Sequence, residues 1–174
     1  ASFALQTTLK SHNGKIHALA VSSGTSKIFC GNEDTTIRTW CVREPRKTQD
    51  LGDIIFGITL RGHKAAVTAL ALSEELLFSG SEDSTIRVWN GVTSECITCL
   101  QGHSGRVTTL AICGSKLFSG SLDRAVRVWR KDTHTEVTTL NGHEASISAM
   151  FVFNQTIFTG GGVNDASIRV WSEC

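Results

Sequence analysis

The chain of 174 residues lacks several features that would assign it to a common class. It has no run of 18 apolar residues, so the sequence predicts no membrane span. Its first residues lack the basic and then apolar layout of a secretory signal. Seventeen Lys and Arg against sixteen Asp and Glu leave a net charge of +1, without the basic excess that binding to a phosphate backbone requires. We therefore expect no nucleic-acid partner.

The chain also lacks the cysteine spacing of a disulfide framework or a zinc site. Its six cysteines occupy no constant offset: Cys30, Cys41, Cys96, Cys99, Cys113 and Cys174. Without a secretion signal, such thiols indicate a reducing compartment, the cytoplasm or the nucleus. Cys96 and Cys99 have C-x-x-C spacing, but no second pair completes a four-ligand zinc site, so we interpret them as strand residues. We predict no metal and no cofactor.

The sequence does contain a repeat with a step of 40 residues. Gly-His occurs at residues 62–63, 102–103 and 142–143, and each pair is followed by an Asp and, six residues later, a Trp. A degraded earlier copy has Ser11-His12, Asp34 and Trp40. A period of about 40 residues with a His near its start and a Trp near its end is typical of propeller blades.

Each repeat contains four short apolar segments separated by turn residues. In the second repeat they are residues 67–72, 76–78, 85–89 and 96–100. Most segments carry apolar side chains on both faces, so neighbouring sheets must cover both sides of each sheet. The sequence therefore predicts an all-β fold, a β-propeller of four-stranded antiparallel blades.

The whole chain forms one predicted region with four blades. Their approximate bounds are 1–41, 55–90, 95–130 and 135–172. An insertion at 43–56 contains the sole proline, Pro45, and the last repeat carries two extra residues within 160–164.

Three motifs at constant offsets resemble the WD-repeat (β-transducin-like) family over nearly the whole chain: Gly-His, Ser-Gly-Ser-x-Asp and Ile-Arg-Val-Trp. The resemblance implies that each blade holds a structural hydrogen-bonded set of His, Ser or Thr, Asp and Trp. The implied sets are His63, Ser79, Asp83 and Trp89; His103, Ser119, Asp123 and Trp129; His143, Thr159, Asp165 and Trp171; and, in the first blade, His12, Asp34 and Trp40. Cys30 replaces the hydroxyl there.

Ser, His and Asp in each repeat also suggest a catalytic triad. Four near-copies of one active site in so short a chain would be unusual, and no G-x-S-x-G turn surrounds any of these serines. No phosphate-binding loop G-x-x-x-x-G-K-[S/T] is present either. We therefore predict a protein that is not an enzyme, with catalysis as a distant alternative.

Binding to partners is expected where the repeats differ. The resemblance places the upper rim three and five residues after each His and one residue before each Asp. These positions hold Lys15, His17, Glu33, Ala66, Thr68, Glu82, Arg106, Thr108, Leu122, Ser146, Ser148 and Asn164. Lys15 and Arg106 either pair with an acidic or phosphorylated segment or are ordinary solvated charges. Residues 54–56, expected on the opposite face, offer a second docking surface.

The pattern predicts a non-catalytic scaffold that binds protein or peptide partners on the rim and assembles a multiprotein complex. The alternative is a substrate-recognition module of a ubiquitin ligase that reads acidic or phosphorylated segments. It rests on the short links at 73–75 and 113–115, which are similar to those of F-box/WD-type propellers.

The two ends of the sequence match each other. An opening strand at 4–9 resembles the fourth strand before every later His, and the chain finishes shortly after a third strand that ends at Trp171. The family's rings have seven or eight blades, so four are too few. Three hypotheses remain: a fragment of a longer propeller, two copies forming an eight-bladed ring, or closure with four blades. The first two require additional blades from a longer chain or from a second copy.

Overall fold

A computed structural model describes residues 5, 7–10, 14–22, 24, 26–43 and 54–172. These residues form fifteen strands, which confirms the all-β prediction. The strands are β1 (Ile16–Ser22), β2 (Lys27–Asn32), β3 (Ile37–Val42), β4 (Ile54–Leu60), β5 (Val67–Ser73), β6 (Leu76–Ser81), β7 (Ile86–Asn90), β8 (Cys96–Leu100), β9 (Val107–Cys113), β10 (Lys116–Ser121), β11 (Val126–Arg130), β12 (Glu136–Leu140), β13 (Ile147–Phe153), β14 (Thr156–Gly161) and β15 (Ile168–Trp171). The described part of the chain contains no helix able to cross a membrane.

The strands pair into four antiparallel sheets, which we call blades 1 to 4. Blades 1 to 3 have four strands each, in the orders β1-β2-β3-β4, β5-β6-β7-β8 and β9-β10-β11-β12; blade 4 has three, β13-β14-β15. The first strands of successive blades lie side by side, β1 with β5, β5 with β9 and β9 with β13. No packing of similar extent joins β13 to β1 among the described residues, so the four blades form an open arc.

Apolar side chains on both faces of the blades form the core. Leu77 and Phe78 are adjacent on β6 and therefore point to opposite faces, yet both are fully buried. Leu77 packs towards blade 1 with Phe29 and Ile37, whereas Phe78 packs towards blade 3 with Val107. Blade 2 is thus stabilised by the blades on its two sides, as expected for a propeller.

A glycine on the second strand of each of blades 1 to 3 allows close approach of the next blade. A Cβ atom added to Gly80 would lie 2.5 Å from Val107 Cγ1, and one added to Gly120 would lie 2.6 Å from Ile147 Cγ2. Gly31 faces Val67 in the same way, at 2.9 Å. A β-branched side chain of one blade therefore occupies the space that a side chain on the preceding blade would need. We call this arrangement the glycine contact.

Two sequence expectations about connecting segments were wrong in the described residues. Ile54 to Phe56 belong to β4, which pairs with β3, and are not part of an insertion. The Phe56 ring packs edge-on against Trp40, with centroids 6.1 Å apart, and this contact favours the strand. Residues 5 and 7–9, which fall within the opening strand expected at 4–9, are not in a strand and pair with no sheet among the described residues. The rest of the insertion, 44–53 with Pro45, lies outside the described residues.

Candidate functional site

A chain of buried hydrogen bonds connects three strands and a turn in blade 2. The Trp89 indole N–H donates to Ser79 Oγ at 2.8 Å, and Ser79 Oγ lies 2.7 Å from His63 Nε2. On the other side of the ring, His63 Nδ1 lies 2.9 Å from Asp83 Oδ2. Because an indole can only donate, the Ser79 hydroxyl is free to donate to Nε2, and Nδ1–H donates to the carboxylate. All four side chains are satisfied when the imidazole is neutral.

Burial keeps this imidazole neutral. Loss of solvation lowers the pKa of His63 below its ordinary value, although the bond to Asp83 opposes the shift. His103 in blade 3 has its pKa lowered for the same reason.

The carboxylate of Asp83 is held in its charged form. Burial raises its pKa, but hydrogen bonds from the Thr85 hydroxyl, the Lys64 amide and the His63 ring together outweigh that effect and lower the pKa to about 2. Asp83 Oδ1 accepts from Thr85 at 2.6 Å, and Oδ2 accepts from the Lys64 amide at 2.8 Å. One carboxylate thus ties the turn before β7 to the segment before β5.

Blades 3 and 4 repeat this geometry. His103 lies 2.7 Å from Asp123 and 2.8 Å from Ser119, which accepts from Trp129 at 2.9 Å. In blade 4 the corresponding distances are 2.6 Å for His143 to Asp165, 2.8 Å for His143 to Thr159, and 2.8 Å for Trp171 to Thr159.

The Ser, His and Asp distances in blade 2 match those of a catalytic triad, but the surroundings do not. Ser79 is fully buried and the His63 side chain is 1% exposed, so a substrate has no access to the hydroxyl. Ser79 Oγ also accepts the Trp89 indole N–H, and this bond holds the hydroxyl in the interior of the blade. The arrangement is suited to holding strands together.

Blade 1 has a different polar set. Cys30 is buried at the position of Ser79, and its Sγ lies 3.5 Å from Asn32 Oδ1. Asp34 accepts from the Thr36 hydroxyl at 2.5 Å and from Arg38 Nη2 at 2.6 Å. His12 lies outside the described residues. Burial raises the pKa of the Cys30 thiol to about 11, so this thiol stays protonated.

The loops that carry the predicted rim residues meet at one end of the blades. The Glu33 amide donates to Lys15 O, the Glu82 amide to Ala66 O, and the Leu122 amide to Arg106 O, at 2.9 to 3.0 Å. The turns after the first and third strands meet at the opposite end, where the Lys131 amide donates to Ser115 O. The rim is therefore a single surface with a repeated backbone.

The rim side chains differ from blade to blade. Arg106 Nη1 donates to Glu82 Oε1 at 3.1 Å across two blades, and both side chains remain solvent-accessible. Leu122, beside Arg106, is 51% exposed. Lys15, His17 and Glu33 are exposed on blade 1, and Glu33 Oε2 accepts from the Lys15 amide at 2.9 Å.

Three predicted rim hydroxyls bond to backbone. Thr68 donates to Val107 O and Thr108 to Ile147 O, each at 2.5 Å, so both connect neighbouring blades. Ser148 donates to Gly160 O and Gly161 O within its own blade. The hydroxyl protons of these three residues are therefore committed to backbone acceptors.

Blade 4 alters the rim because its turn carries the two extra residues. There the Gly162 amide donates to the carbonyl oxygen of the half-buried Ser146. Gly162 thus takes the position that Glu82 has in blade 2 and Leu122 has in blade 3. Asn164 lies further along the exposed turn, in the left-handed region with φ of 76°.

Comparison with known proteins agrees with this geometry. The family profile described as "WD domain, G-beta repeat" matches residues 3–41, 56–90, 94–130 and 134–172. The chain belongs to the WD-repeat family. The resemblance inferred from the three motifs is thereby confirmed. No curated protein sequence matches the chain.

Solved structures similar to this WD-repeat chain include one of nearly equal length. The crystal structure of the computationally designed Ika4 protein has a TM-score of 0.79 and 28% sequence identity, over 95% of both chains. The crystal structure of RRP9 WD40 repeats has a TM-score of 0.75 and 27% identity, over 94% of this chain and 53% of that one. A chain of the Mitotic Checkpoint Complex has a TM-score of 0.77 and 26% identity, over 90% and 47%. This chain spans about half the length of the last two.

Sequence reasoning assigned no role to the second serine of the Ser-Gly-Ser motif of these WD repeats. Ser81 donates to Ala65 O at 3.1 Å and accepts from the Asp83 amide, also at 3.1 Å. Ser121 makes the equivalent bonds with Gly105 O and the Asp123 amide. The signal was present in the sequence, because a serine recurs two residues before each of these aspartates.

No metal centre is formed by the described residues. No three His, Cys, Asp or Glu side chains converge among them. Cys96 and Cys99 lie three residues apart on β8, so their side chains point to opposite faces of the strand and cannot bind one ion together.

Proposed function

We propose that this WD-repeat protein is a non-catalytic scaffold that binds segments of other proteins on its rim and so brings them into one complex. The observation that carries the proposal is the contrast between a repeated backbone and varied, exposed side chains at that end of the blades. The interior polar groups are occupied with one another, whereas Arg106 and Leu122 remain available to a partner. One of the similar solved chains belongs to a multiprotein complex.

The chemistry of the rim favours a segment that carries both acidic and apolar side chains. The Arg106 guanidinium presents further N–H donors beside its bond to Glu82, and these suit a carboxylate or phosphate. The exposed Leu122 next to it offers an apolar contact. The more specific alternative, a ubiquitin-ligase substrate receptor for such segments, stays a prediction.

We also expect the protein to work in a reducing compartment, the cytoplasm or the nucleus. The support is that five cysteines of the described residues are free thiols: Cys30, Cys41, Cys96, Cys99 and Cys113.

Affinity capture with a charge-reversed rim tests the proposal. Lys15→Glu combined with Arg106→Glu should lower the recovery of bound proteins by more than about tenfold, since each charge-assisted hydrogen bond contributes about 1.5–3 kcal/mol. Immobilised acidic, leucine-containing peptides should lose binding in parallel, and basic peptides of equal length should not bind.

Arg130→Glu is the matched control, because Arg130 is an exposed, ion-paired arginine at the end of β11, at the opposite end of its blade. Recovery of the same proteins by the rim variant as by the wild type would refute the proposed surface.

A further inference from the structure

Three asparagines in the sequence are followed directly by glycine: Asn13, Asn90 and Asn141. In an Asn-Gly pair the asparagine side chain is especially open to attack by the next backbone nitrogen, because glycine has no Cβ to block the approach and lets the backbone turn freely. Asn13 lies outside the described residues. The other two pairs have different surroundings, and the structure therefore distinguishes their reactivity.

Hydrogen bonds hold both reacting groups of the pair Asn90-Gly91. Asn90 Oδ1 accepts from the Val92 amide at 2.8 Å and from the Thr93 amide at 2.9 Å. The Gly91 amide, buried in the turn after β7, donates to Glu75 O at 2.5 Å. A reaction between the Gly91 nitrogen and the Asn90 side chain would first have to break these three bonds.

No such bonds hold the pair Asn141-Gly142. Both residues are exposed, in the segment between β12 and β13. Within the described part of the chain, neither the Gly142 amide nor the Asn141 side chain takes part in a hydrogen bond. The side-chain carbonyl carbon and the backbone nitrogen that would attack it are therefore both free to approach each other.

Packing around this glycine is also looser than in the two preceding repeats. A Cβ atom added to Gly62 or Gly102 would lie 2.8 or 2.9 Å from Nη1 of the third-strand arginine in the same blade. A Cβ atom added to Gly142 would lie 3.3 Å from Arg169 Nη1. The segment before β13 thus has more room to change conformation than its counterparts.

We propose that Asn141 is a site of spontaneous deamidation. The Gly142 backbone nitrogen loses its proton to a base in the solvent and forms a bond to the Asn141 side-chain carbonyl carbon. The bond from that carbon to the side-chain nitrogen breaks, this nitrogen takes up a proton, and ammonia leaves behind a five-membered cyclic imide.

Water then opens the imide at one of its two carbonyl carbons. Opening at one carbonyl gives aspartate in the original main chain. Opening at the other gives isoaspartate, in which the main chain runs through the former side chain. In total, one water molecule is consumed and one ammonia molecule is released, and no oxidant or reductant takes part.

The site is particular to the fourth repeat. The residue before the Gly-His pair is Arg61 in the second repeat and Gln101 in the third. An arginine has no side-chain carbonyl to attack, and a glutamine would have to close a larger ring. Deamidation at this repeat position is therefore expected only between blades 3 and 4.

The isoaspartate product should disturb blade 4. It adds one carbon atom to the main chain directly before Gly142, which lies close to Arg169 and Trp171. The next residue is the buried His143, held by Asp165 at 2.6 Å. A longer main chain at this point shifts His143 away from its partner, whereas aspartate keeps the original backbone length.

Peptide mass spectrometry on the folded chain, kept at mildly basic pH, tests the proposal. Acid products should form at Asn141 at least about tenfold faster than at Asn90, because three hydrogen bonds must break before Asn90 can react. In urea, where neither pair is held by the fold, the two rates should become similar. Each peptide is measured separately, so Asn13 does not enter the comparison.

Asn141→Gln is the matched control, because it introduces the residue type that the third repeat has in Gln101. This variant should form no acid product at position 141 and should leave the rate at Asn90 unchanged. Gly142→Ala should slow the reaction at Asn141, because the added methyl group hinders the attacking nitrogen.

The effect on blade 4 is measured by urea denaturation in an Asn13→Gln background. Protein kept until Asn141 has reacted should unfold at a lower urea concentration than the Asn141→Asp variant, which has the charge without the longer main chain. The Asn141→Gln variant, kept for the same time, should lose no stability.

Equal rates at Asn90 and Asn141 in the folded chain, or a faster reaction at Asn90, would overturn the proposal. So would an Asn141 amide that persists in the folded chain while both asparagines react in urea. A reacted chain as stable as the Asn141→Asp variant would contradict the displacement of His143.

Discussion

Blades 1 and 2 have the same strand pairing but different polar interiors. In blade 2 the second strand pairs Phe78 with Val88, and in blade 1 it pairs Phe29 with Thr39 in the same register. Ser79 links an indole to an imidazole in blade 2, whereas blade 1 places a thiol there. The same strand register is thus formed with either a hydroxyl or a thiol at this position of the second strand.

Removing the central hydroxyl should give the largest difference between the two blades. Ser79→Ala leaves the buried Trp89 indole N–H and His63 Nε2 without partners, at a cost of about 3 kcal/mol in the free energy of unfolding. Cys30→Ala removes only a weakly bonded sulfur and should cost about 1 kcal/mol. Urea denaturation of both variants measures the difference, and equal costs would contradict the distinction between the blades.

Much of the fold could be predicted from the sequence because the same motifs recur in each blade at the same spacing. The step of 40 residues, the strand segments and the hydrogen-bonded set that begins with His63 and ends with Trp89 all recur. The assignment of one repeat therefore supports the assignment of the next. Non-repeated elements could not be predicted in this way. The packing of Phe56 on Trp40 lengthens β4 into the expected insertion, and the Arg38–Asp34 ion pair of blade 1 has no counterpart in the other blades among the described residues.

Rim geometry was harder to predict for a related reason. Thr68 and Thr108 occupy rim offsets, but their hydroxyls bond to the next blade, and sequence alone gives no distance across blades. The turn of blade 4 shifts Asn164 because two extra residues displace the position that was counted from Asp165.

Acid should destabilise blades 2 and 3, because the folded state lowers the pKa of their buried histidines. The folded state lowers the pKa of His63 and His103, so the unfolded chain, near its ordinary pKa of 6.5, binds protons more readily. Stability is therefore complete above about pH 6.5 and is lost as the pH falls towards the lowered values. Asp83 acts in the same direction at lower pH, since its pKa falls from 3.8 to about 2.

The urea concentration at the midpoint of unfolding should accordingly be lower at about pH 5.5 than at about pH 7.5, two values on either side of the ordinary histidine pKa. His63→Gln should reduce that decrease, because it removes a buried imidazole whose pKa is lowered in the folded state. A midpoint that rises on acidification would contradict the neutral, buried state of His63.

The smallest expected difference between blades 1 and 2 is in the rate at which their cysteines are alkylated. We expect no difference in the free energy of unfolding from this source. Cys30 is 1% exposed, and burial raises its pKa to about 11, so native protein should protect it from iodoacetamide. Cys96 is exposed on blade 2 and should be alkylated before Cys30, as measured by peptide mass spectrometry. Equal rates for the two thiols in native protein would show that blade 1 opens readily.

The most direct test of the division between a structural interior and a binding rim is the affinity of the Ser79→Ala variant for a protein captured by the wild-type rim. This affinity is measured under conditions in which the variant is fully folded. We predict an affinity equal to that of the wild type despite the lower free energy of unfolding. Loss of binding by folded Ser79→Ala, with the Lys15→Glu, Arg106→Glu variant still binding, would contradict it.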